Sequence, residues 1–308
     1  MPIYLKEQDV AELADMPSVI AALREAFVAQ ARGEAVNVPR TRWEFGNRRL
    51  NVMGGGARAS ARYALKSYGS SAYHVLLYDG DGLLAVIEAN QLGQIRTGAA
   101  SAVASERMAR PNSARVGLIG AGRQARTQAL ALHAIGMLRE VDVYARDRGK
   151  LEDFCLRLVE ELKIPARAAA SAEAAVDGAD IVVTATGSST PVLMSQWLAP
   201  GTHVNAMGAN AASRRELDPQ TVLRAALVVT DDVEQAKVEA GEFIDLHRAG
   251  RLDWDKVTPL HRVVAAPRLA REEGAITLFK SLGIGLEDLA IGSLIYDRAV
   301  ASGRFKPL

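Results

Sequence analysis

Apolar and polar positions along the chain follow two regimes. From Glu7 to Gly33, the apolar residues Val10, Leu13, Val19, Ile20, Leu23 and Phe27 recur at helical spacing. That spacing predicts one or two amphipathic helices broken near Pro17. Four short stretches then read as strands: Leu50–Met53, Tyr63–Ser67, Val75–Tyr78 and Leu83–Glu88. Gly54-Gly55-Gly56 and Asp79-Gly80-Asp81-Gly82 read as turns between them, the second as a hairpin. Arg96 to Ala109 is small, Ala-rich and helical, and closes before Pro111.

At Arg115 the pattern changes. RVGLI is a short apolar strand, followed by GAG and a helix from Arg123 to about Ile135. EVDVYA is a second strand, Asp147 to Leu162 an amphipathic helix, and DIVVTATG, THVNAMGA and ALVVTD are further buried-type strands. Strands alternating with helices predict βαβ units on a parallel sheet, an α/β class. The last stretch, ITLFKSLGIGLEDLAIGSLIYDRAVASG, reads as a strand, a glycine-containing turn and a long helix.

Composition narrows the function classes. The 308 residues correspond to about two domains of roughly 150 each. With 49% hydrophobic and 24% charged residues, the chain carries enough apolar material to fold rather than stay disordered. Thirty-seven basic and 36 acidic residues leave a net charge of +1, so no global field attracts nucleic acid or an anionic membrane. A local phosphate site remains compatible with that balance. Cys155 is the one cysteine, which forbids an intrachain disulfide and fits a reducing compartment. Its expected role is a small buried apolar residue. The start MPIYLKEQDV is charged by residue 6 and has no apolar signal core, and no apolar run approaches 20 residues. The expectation is a cytoplasmic protein with neither nucleic-acid nor membrane partner. The five histidines show no H-x-x-x-H spacing and no C-x-x-C occurs, so no metal site is expected. His74 reads as structural.

The sharpest motif is G-x-G-x-x-G/A from Gly120 to Ala125, within Val116-Gly117-Leu118-Ile119-Gly120-Ala121-Gly122-Arg123-Gln124-Ala125. Gly120 permits the tight turn, Gly122 lets backbone approach a pyrophosphate, and Ala125 is small enough for helix–strand packing. The helix that starts at Arg123, with Gln124 beside it, offers free N–H groups and a positive dipole end. Because the motif follows a strand, opens a helix and sits in a βαβ unit, it predicts a dinucleotide site. An NAD site usually ends the second strand on an acid that holds the ribose. Here that position is Ala145, followed by Arg146 and Asp147. Arg146, with Arg123 as a second candidate, suits a 2′-phosphate. The expected cofactor is therefore NADP(H), with NAD(H) as the alternative in which Asp147 supplies the acid.

With the fingerprint placed, further segments fall into line. They are Val38-Pro39-Arg40, Ala64-Leu65-Lys66, Ile95-Arg96-Thr97-Gly98-Ala99-Ala100-Ser101-Ala102, Val204-Asn205-Ala206-Met207-Gly208-Ala209, Arg215-Glu216-Leu217-Asp218, Phe279-Lys280-Ser281-Leu282-Gly283 and Glu287-Asp288. In that order and spacing, the chain resembles the ornithine cyclodeaminase/mu-crystallin family over nearly its whole length. The resemblance implies a Rossmann doubly wound parallel sheet, residues 111–285. It would be inserted into a second, α+β substrate-binding and dimerisation domain, residues 1–110 plus 286–308. A homodimer is implied likewise.

It also implies chemistry at the C–N bond of an α-amino or α-imino acid, using a nicotinamide. Arg40 and Arg96 resemble the family's substrate-carboxylate arginines, and a guanidinium fork suits a planar carboxylate. Lys66 resembles the lysine near the reacting carbon, placed to bind the carboxylate or give a proton to the developing amine. The RTGAA context assigns Arg96 and Thr97 to the cofactor as well. Thr184, Ala185, Thr186 and Gly208 end strands that face a cofactor in this fold, and Lys280 and Ser281 match positions near the nicotinamide amide.

Asn210 is the departure. Cyclodeaminases carry an aspartate there as a base, and an amide cannot take a proton at neutral pH. This favours a ketimine reductase-like oxidoreductase, in the manner of the mu-crystallin branch, with Asn210 as a substrate contact. The alternatives are an ornithine cyclodeaminase that releases ammonia with catalytic cofactor, and a non-catalytic protein that binds NADPH and small carboxylates. Glu239, Glu242 and Asp245 are the acids able to replace the missing base; the expectation is that they form a solvated helix face.

Overall fold

A computed structural model of the chain describes residues 1–69, 71–267, 269, 271–303 and 305–308. In chain order the elements are β1 (Ile3–Leu5), α1 (Glu7–Leu13), α2 (Met16–Ala31), β2 (Ala35–Phe45), β3 (Arg48–Ala57), β4 (Arg62–Tyr68), β5 (Tyr73–Asp79), β6 (Gly82–Glu88) and α3 (Asn90–Met108). Next come β7 (Arg115–Ile119), α4 (Arg123–Ala134), β8 (Glu140–Tyr144), α5 (Arg148–Leu162), β9 (Ala166–Ala168), α6 (Ala172–Val176), β10 (Ile181–Thr184) and β11 (His203–Ala206). The rest are α7 (Pro219–Arg224), β12 (Leu227–Thr230), α8 (Val233–Glu239), α9 (Gly241–Arg248), β13 (Val257–Pro259), α10 (Leu260–Ala265), β14 (Thr277–Lys280), α11 (Gly285–Ser302) and β15 (Lys306–Pro307).

These elements form two compact units. The first is Met1–Ala100 with Gly283–Leu308, the second Ser101–Leu282. The first division falls inside the continuous helix α3, where no turn signal exists to mark it.

The first unit is a seven-stranded mixed sheet, order β15-β1-β6-β5-β4-β3-β2, with α11 and α2 packed on it. The helical break anticipated near Pro17 lies at Ala14 and Asp15. Asp15 caps α2 by accepting from Ser18 N at 3.0 Å. Pro17 sits in the first turn, where its missing N–H costs nothing.

Gly54-Gly55-Gly56 is not a turn but lies within β3, toward its end, a correction with a steric cause. A Cβ on Gly55 would stand 2.8 Å from Leu286 Cα. Glycine is there because α11 lies directly on the strand. β2 gave no strand signal, since Pro39 and charged residues obscure its alternation. Its pairing with β3 runs Val38↔Gly54, then Thr41↔Val52. Pro39 and Arg40 thus oppose the single residue Met53 in a bulge, a position that tolerates proline.

The second unit is an eight-stranded sheet, order β13-β12-β14-β11-β10-β7-β8-β9, with every pair parallel. Apolar layers cover both faces. Ile181 and Val183 face Leu151, Phe154 and Leu158 of α5, whereas Val182 faces the layer holding Val222, Phe243 and Leu246. Burial on both faces explains the unbroken apolar runs in these strands. Cys155 is buried in the first of these layers, and desolvation pushes its thiol up to about 11. Strand order reverses at β7, with β8 on one side and β10 on the other, which is where ligands bind in such sheets. Among the described residues no helix is long and apolar enough to cross a membrane.

Candidate functional site

The first unit gathers buried charge. In β4, Leu65 is 39% exposed and Lys66 only 3%, so the strand turns its lysine inward and its leucine outward. This inversion of normal patterning marks a site rather than a core. The bulge does the same for Arg40, which shifts the phase of β2 and buries that guanidinium. Arg96 is buried on α3, and Glu287 and Asp288 are buried in the first turn of α11, where the helix dipole favours anions.

Their contacts form one cluster. Lys66 Nζ donates to Asp288 Oδ1 at 2.7 Å, and Arg96 Nη1 to Glu287 Oε2 at 2.9 Å. Arg96 Nε lies 3.6 Å from Asp288 Oδ1. Arg40 Nη2 donates to the Gly283 carbonyl at 2.8 Å. The Tyr68 ring stands 5.9 Å from the Arg40 guanidinium and 6.0 Å from Lys66 Nζ, and it stacks on Tyr73. Asp288 Oδ2 is buried without a hydrogen-bond partner among the described residues.

Three cations thus face two carboxylates, an excess of one positive charge among these residues. Burial pushes the Lys66 ammonium below its ordinary value; Asp288 opposes that shift, while Arg96 and Arg40 reinforce it. An anion entering here favours the charged form of Lys66. The arrangement suits one carboxylate on a small molecule that also accepts a proton. His74 lies half-buried on β5.

The second unit carries the fingerprint. Gly120 has φ +123°, and a Cβ there would collide with the Ala185 carbonyl at the end of β10. Gly122 caps α4 with extended backbone and no side-chain cap, and nothing lies within 4 Å of where its Cβ would be. The backbone is therefore open to a ligand and the first N–H groups of α4 lack a side-chain acceptor. These features fit a dinucleotide pyrophosphate. Arg123 and Arg146 are exposed, and Gln124 and Ala185 half-buried. Asp147, the acid offered for an NAD ribose, caps α5. Its carboxylate accepts from Lys150 N at 3.1 Å and pairs with Lys150 Nζ at 3.1 Å.

Several residues proposed for cofactor contact are engaged within the protein. The Thr184 hydroxyl donates to Glu216 Oε2 at 3.0 Å, and Thr186 donates its N–H and its hydroxyl to Glu216 Oε1, both at 2.7 Å. Lys280 is fully buried, 3.3 Å from Glu242 Oε1, and Ser281 donates to Asp231 at 3.3 Å. The Thr97 hydroxyl donates to the Gly93 carbonyl one turn back on α3. Gly208 and Asn210 are half-buried after β11.

Glu239 and Glu242 do not form a solvated helix face. Both are buried, Glu239 accepting from Gln235 at 3.0 Å and Glu242 from Glu216 N at 2.9 Å. Only Asp245 is exposed, paired with Arg215. The helical stretch is too short for periodicity to tell its inner face from its outer one. Asp288 and Glu216 lie in segments that carry the family likeness, but nothing local in the sequence assigns either acid a role. Their acid types at a helix start and before an Asp-Pro cap read as ordinary capping chemistry. Among the described residues no group of three His, Cys, Asp or Glu could hold a metal ion.

Comparison with known proteins bears on this arrangement. The model of the ornithine cyclodeaminase/mu-crystallin family matches residues 2–303. The ketimine reductase mu-crystallin of Mus musculus is 34% identical over 225 residues, 72% of this chain and 68% of that protein. The Thermococcus litoralis Δ1-pyrroline-2-carboxylate reductase, solved with NADH and L-proline, superposes with a TM-score of 0.94 at 31% identity, covering 99% of this chain and all of that one. An archaeal alanine dehydrogenase dimer with bound NAD gives 0.93 at 29% identity, covering 100% of this chain and 98% of that one. With a fingerprint at the switch point of a parallel sheet, a buried cation cluster beside α11 and a family match across nearly its full length, this chain belongs to the ornithine cyclodeaminase/mu-crystallin family.

Proposed function

We propose that the protein is an NAD(P)H-dependent reductase of small α-imino acids, cyclic ketimines among them. The observation that carries this reading is the buried cluster of Arg40, Lys66 and Arg96 with Glu287 and Asp288. Arg40 and Arg96 would hold the substrate carboxylate and exclude water from it. The entering anion raises the affinity of Lys66 for its proton. Loss of that proton to the product nitrogen is then eased by burial and by the two neighbouring guanidiniums. Asp288 keeps the ammonium oriented through its 2.7 Å bond. The bound reduced nicotinamide supplies the hydride that the α-carbon accepts, so one hydride and one proton convert C=N to CH–NH. Gly120, Gly122 and the α4 N-terminus would hold the pyrophosphate.

We propose a preference for NADPH, with Arg146 and Arg123 on the 2′-phosphate, because Asp147 is committed to capping α5. Reduction is favoured over cyclodeamination because Asn210 is no base and the buried Glu239 and Glu242 already serve internal partners.

A second copy of the chain is proposed to cover the outer face of the first unit's sheet. Val36, Val38, Tyr63 and Leu65 are all exposed there, and register aligns Val38, Gly54 and Leu65 in one row. Leu65→Glu should yield monomers by analytical ultracentrifugation.

The test of the main reading is a panel of pyrroline- and piperideine-2-carboxylates with each reduced nicotinamide. Stoichiometric cofactor consumption is expected, faster with NADPH. Ammonia release from ornithine with catalytic cofactor would instead establish the lyase. Binding without turnover across the panel would leave a carrier of NADPH and small carboxylates.

A further inference from the structure

Beneath the ends of β10 and β11 lies a carboxylate with an unusual number of donors. Glu216 is fully buried. Its Oε1 accepts from Thr186 N and Thr186 Oγ1, both at 2.7 Å, and its Oε2 from Gly208 N at 2.6 Å and Thr184 Oγ1 at 3.0 Å. Two donors per oxygen fill its acceptor sites. Its backbone is pinned as firmly. The carbonyl accepts from Val192 N at 2.8 Å and Leu193 N at 3.0 Å, and the N–H donates to Glu242 Oε1 at 2.9 Å. Glu242 in turn lies 3.3 Å from Lys280 Nζ. Gly208 has to be glycine for this to form, since a Cβ would stand 2.5 Å from Glu216 Oε1 and collide with Thr186 backbone.

One carboxylate therefore joins Thr184 and Thr186, at and beyond the end of β10, to Gly208, beyond the end of the adjacent β11. We infer that Glu216 is a positioning residue, which sets the spacing and orientation of the two strand ends that meet the nicotinamide half of a bound dinucleotide. The ends of parallel strands are where such a ligand sits. A hydrogen-bonded carboxylate spanning both ends fixes them before the ligand arrives, so less ordering remains at binding. Thr184, Thr186 and Lys280 then act on the cofactor through Glu216 rather than by direct side-chain contact. The inference rests on the dinucleotide reading made above.

The test is fluorescence titration of the full-length protein with NADPH and NADH, alongside steady-state kinetics on the imine panel. The variants are Glu216→Gln, Glu216→Asp and Glu242→Gln. Glu216→Gln replaces one acceptor oxygen by a donor facing an N–H, and Glu216→Asp keeps the charge but shortens the reach between strands. Both are expected to weaken cofactor binding about tenfold or more and to lower kcat, while KM for the imine stays within about twofold. Glu242→Gln should move the same quantities in the same direction by less. It serves as the decisive variant if the Glu216 substitutions fail to fold.

An equal loss of cofactor affinity and of imine KM would mean a disturbance not confined to the cofactor's strand ends and overturn the positioning role. Full cofactor affinity in Glu216→Asp would overturn the spanning argument in favour of charge alone. Unchanged cofactor affinity in a folded Glu216→Gln would overturn the inference while leaving the proposed function standing. A wild-type protein that binds neither nicotinamide would instead remove the cofactor reading on which the inference depends.

Discussion

Two buried sites, one in each unit, treat ionisable groups in opposite ways. In the first, Lys66, Arg96, Glu287 and Asp288 are interleaved cations and anions with an excess of positive charge once Arg40 is included, and Asp288 Oδ2 has no hydrogen-bond partner among the described residues. In the second, Glu216 has each oxygen doubly bonded, and His203 is a fully buried imidazole between Thr277 Oγ1 at 2.9 Å and Asn205 Oδ1 at 3.2 Å. Burial holds His203 neutral, lowering it to about 3. An incompletely compensated cluster is costly to fold and ready to bind and exchange protons. A saturated group can only hold things in place. The contrast separates a place for chemistry from a scaffold.

The largest effect should come from breaking the first unit's cluster. Lys66→Met removes the proposed proton donor and strands Asp288, so imine reduction should fall by about 10²–10⁴-fold. NADPH titration should give an unchanged Kd, because the cradle belongs to the other unit. Folding stability should drop by about 3–5 kcal/mol in a denaturant titration, because one partner of a buried ion pair is removed. Retained turnover would remove Lys66 from the chemistry.

The converse substitution is Gly120→Ala. The φ of +123° and the nearby Ala185 carbonyl leave no room for a methyl group. Dinucleotide binding should weaken by about 100-fold, corresponding to roughly 3 kcal/mol of lost interaction and strain. Calorimetry with the amino-acid product should still report carboxylate binding to the first unit. Loss of both would show that the units are not separable in this way.

A smaller effect sharpens the electrostatics. Asp288 is the group that holds Lys66 up against burial and against Arg96 and Arg40. Turnover needs the charged ammonium, so kcat/KM should fall on the alkaline side, with an inflection below the ordinary 10.5. Asp288→Asn removes the raising partner, and the inflection should move further to lower pH. A move to higher pH would reverse the assignment.

The smallest effect concerns His203. Its folded value of about 3 lies below the ordinary 6.5. Unfolded chains therefore take up a proton that the folded state refuses between those values. Its contribution is present above 6.5 and lost as pH falls toward 3, at up to about 1.4 kcal/mol per pH unit. Thermal unfolding followed from pH 7 to 5 should show that slope, and His203→Asn should flatten it.

Much of the second unit was legible in the chain because its determinants are local. A glycine fingerprint, a strand before it and a helix after it lie within 20 residues, and strands buried on both faces announce themselves as apolar runs. In the first unit, Lys66 was legible as a lysine inside a strand-like run, although not as facing inward. Asp288 escaped functional assignment because an acid in a helix's first turn is ordinary capping chemistry. β2 escaped because its register depends on a bulge opposite Met53. Gly54-Gly55-Gly56 misled because glycine marks both turns and close backbone approach, and only the position of α11 distinguishes the two.

The sequence by itself determined the parallel α/β sheet, the glycine turn between β7 and α4 and, through family likeness, the cationic residues Arg40, Lys66 and Arg96. Tertiary structure alone decided their partners. Asp288 lies 222 residues from Lys66 along the chain, and Glu287 lies 191 from Arg96. It likewise decided that Glu239 and Glu242 face inward and that Glu216 joins two strand ends. Helical and strand periodicities report a few residues at a time, whereas the burial and pairing of a charge depend on which distant segment folds against it.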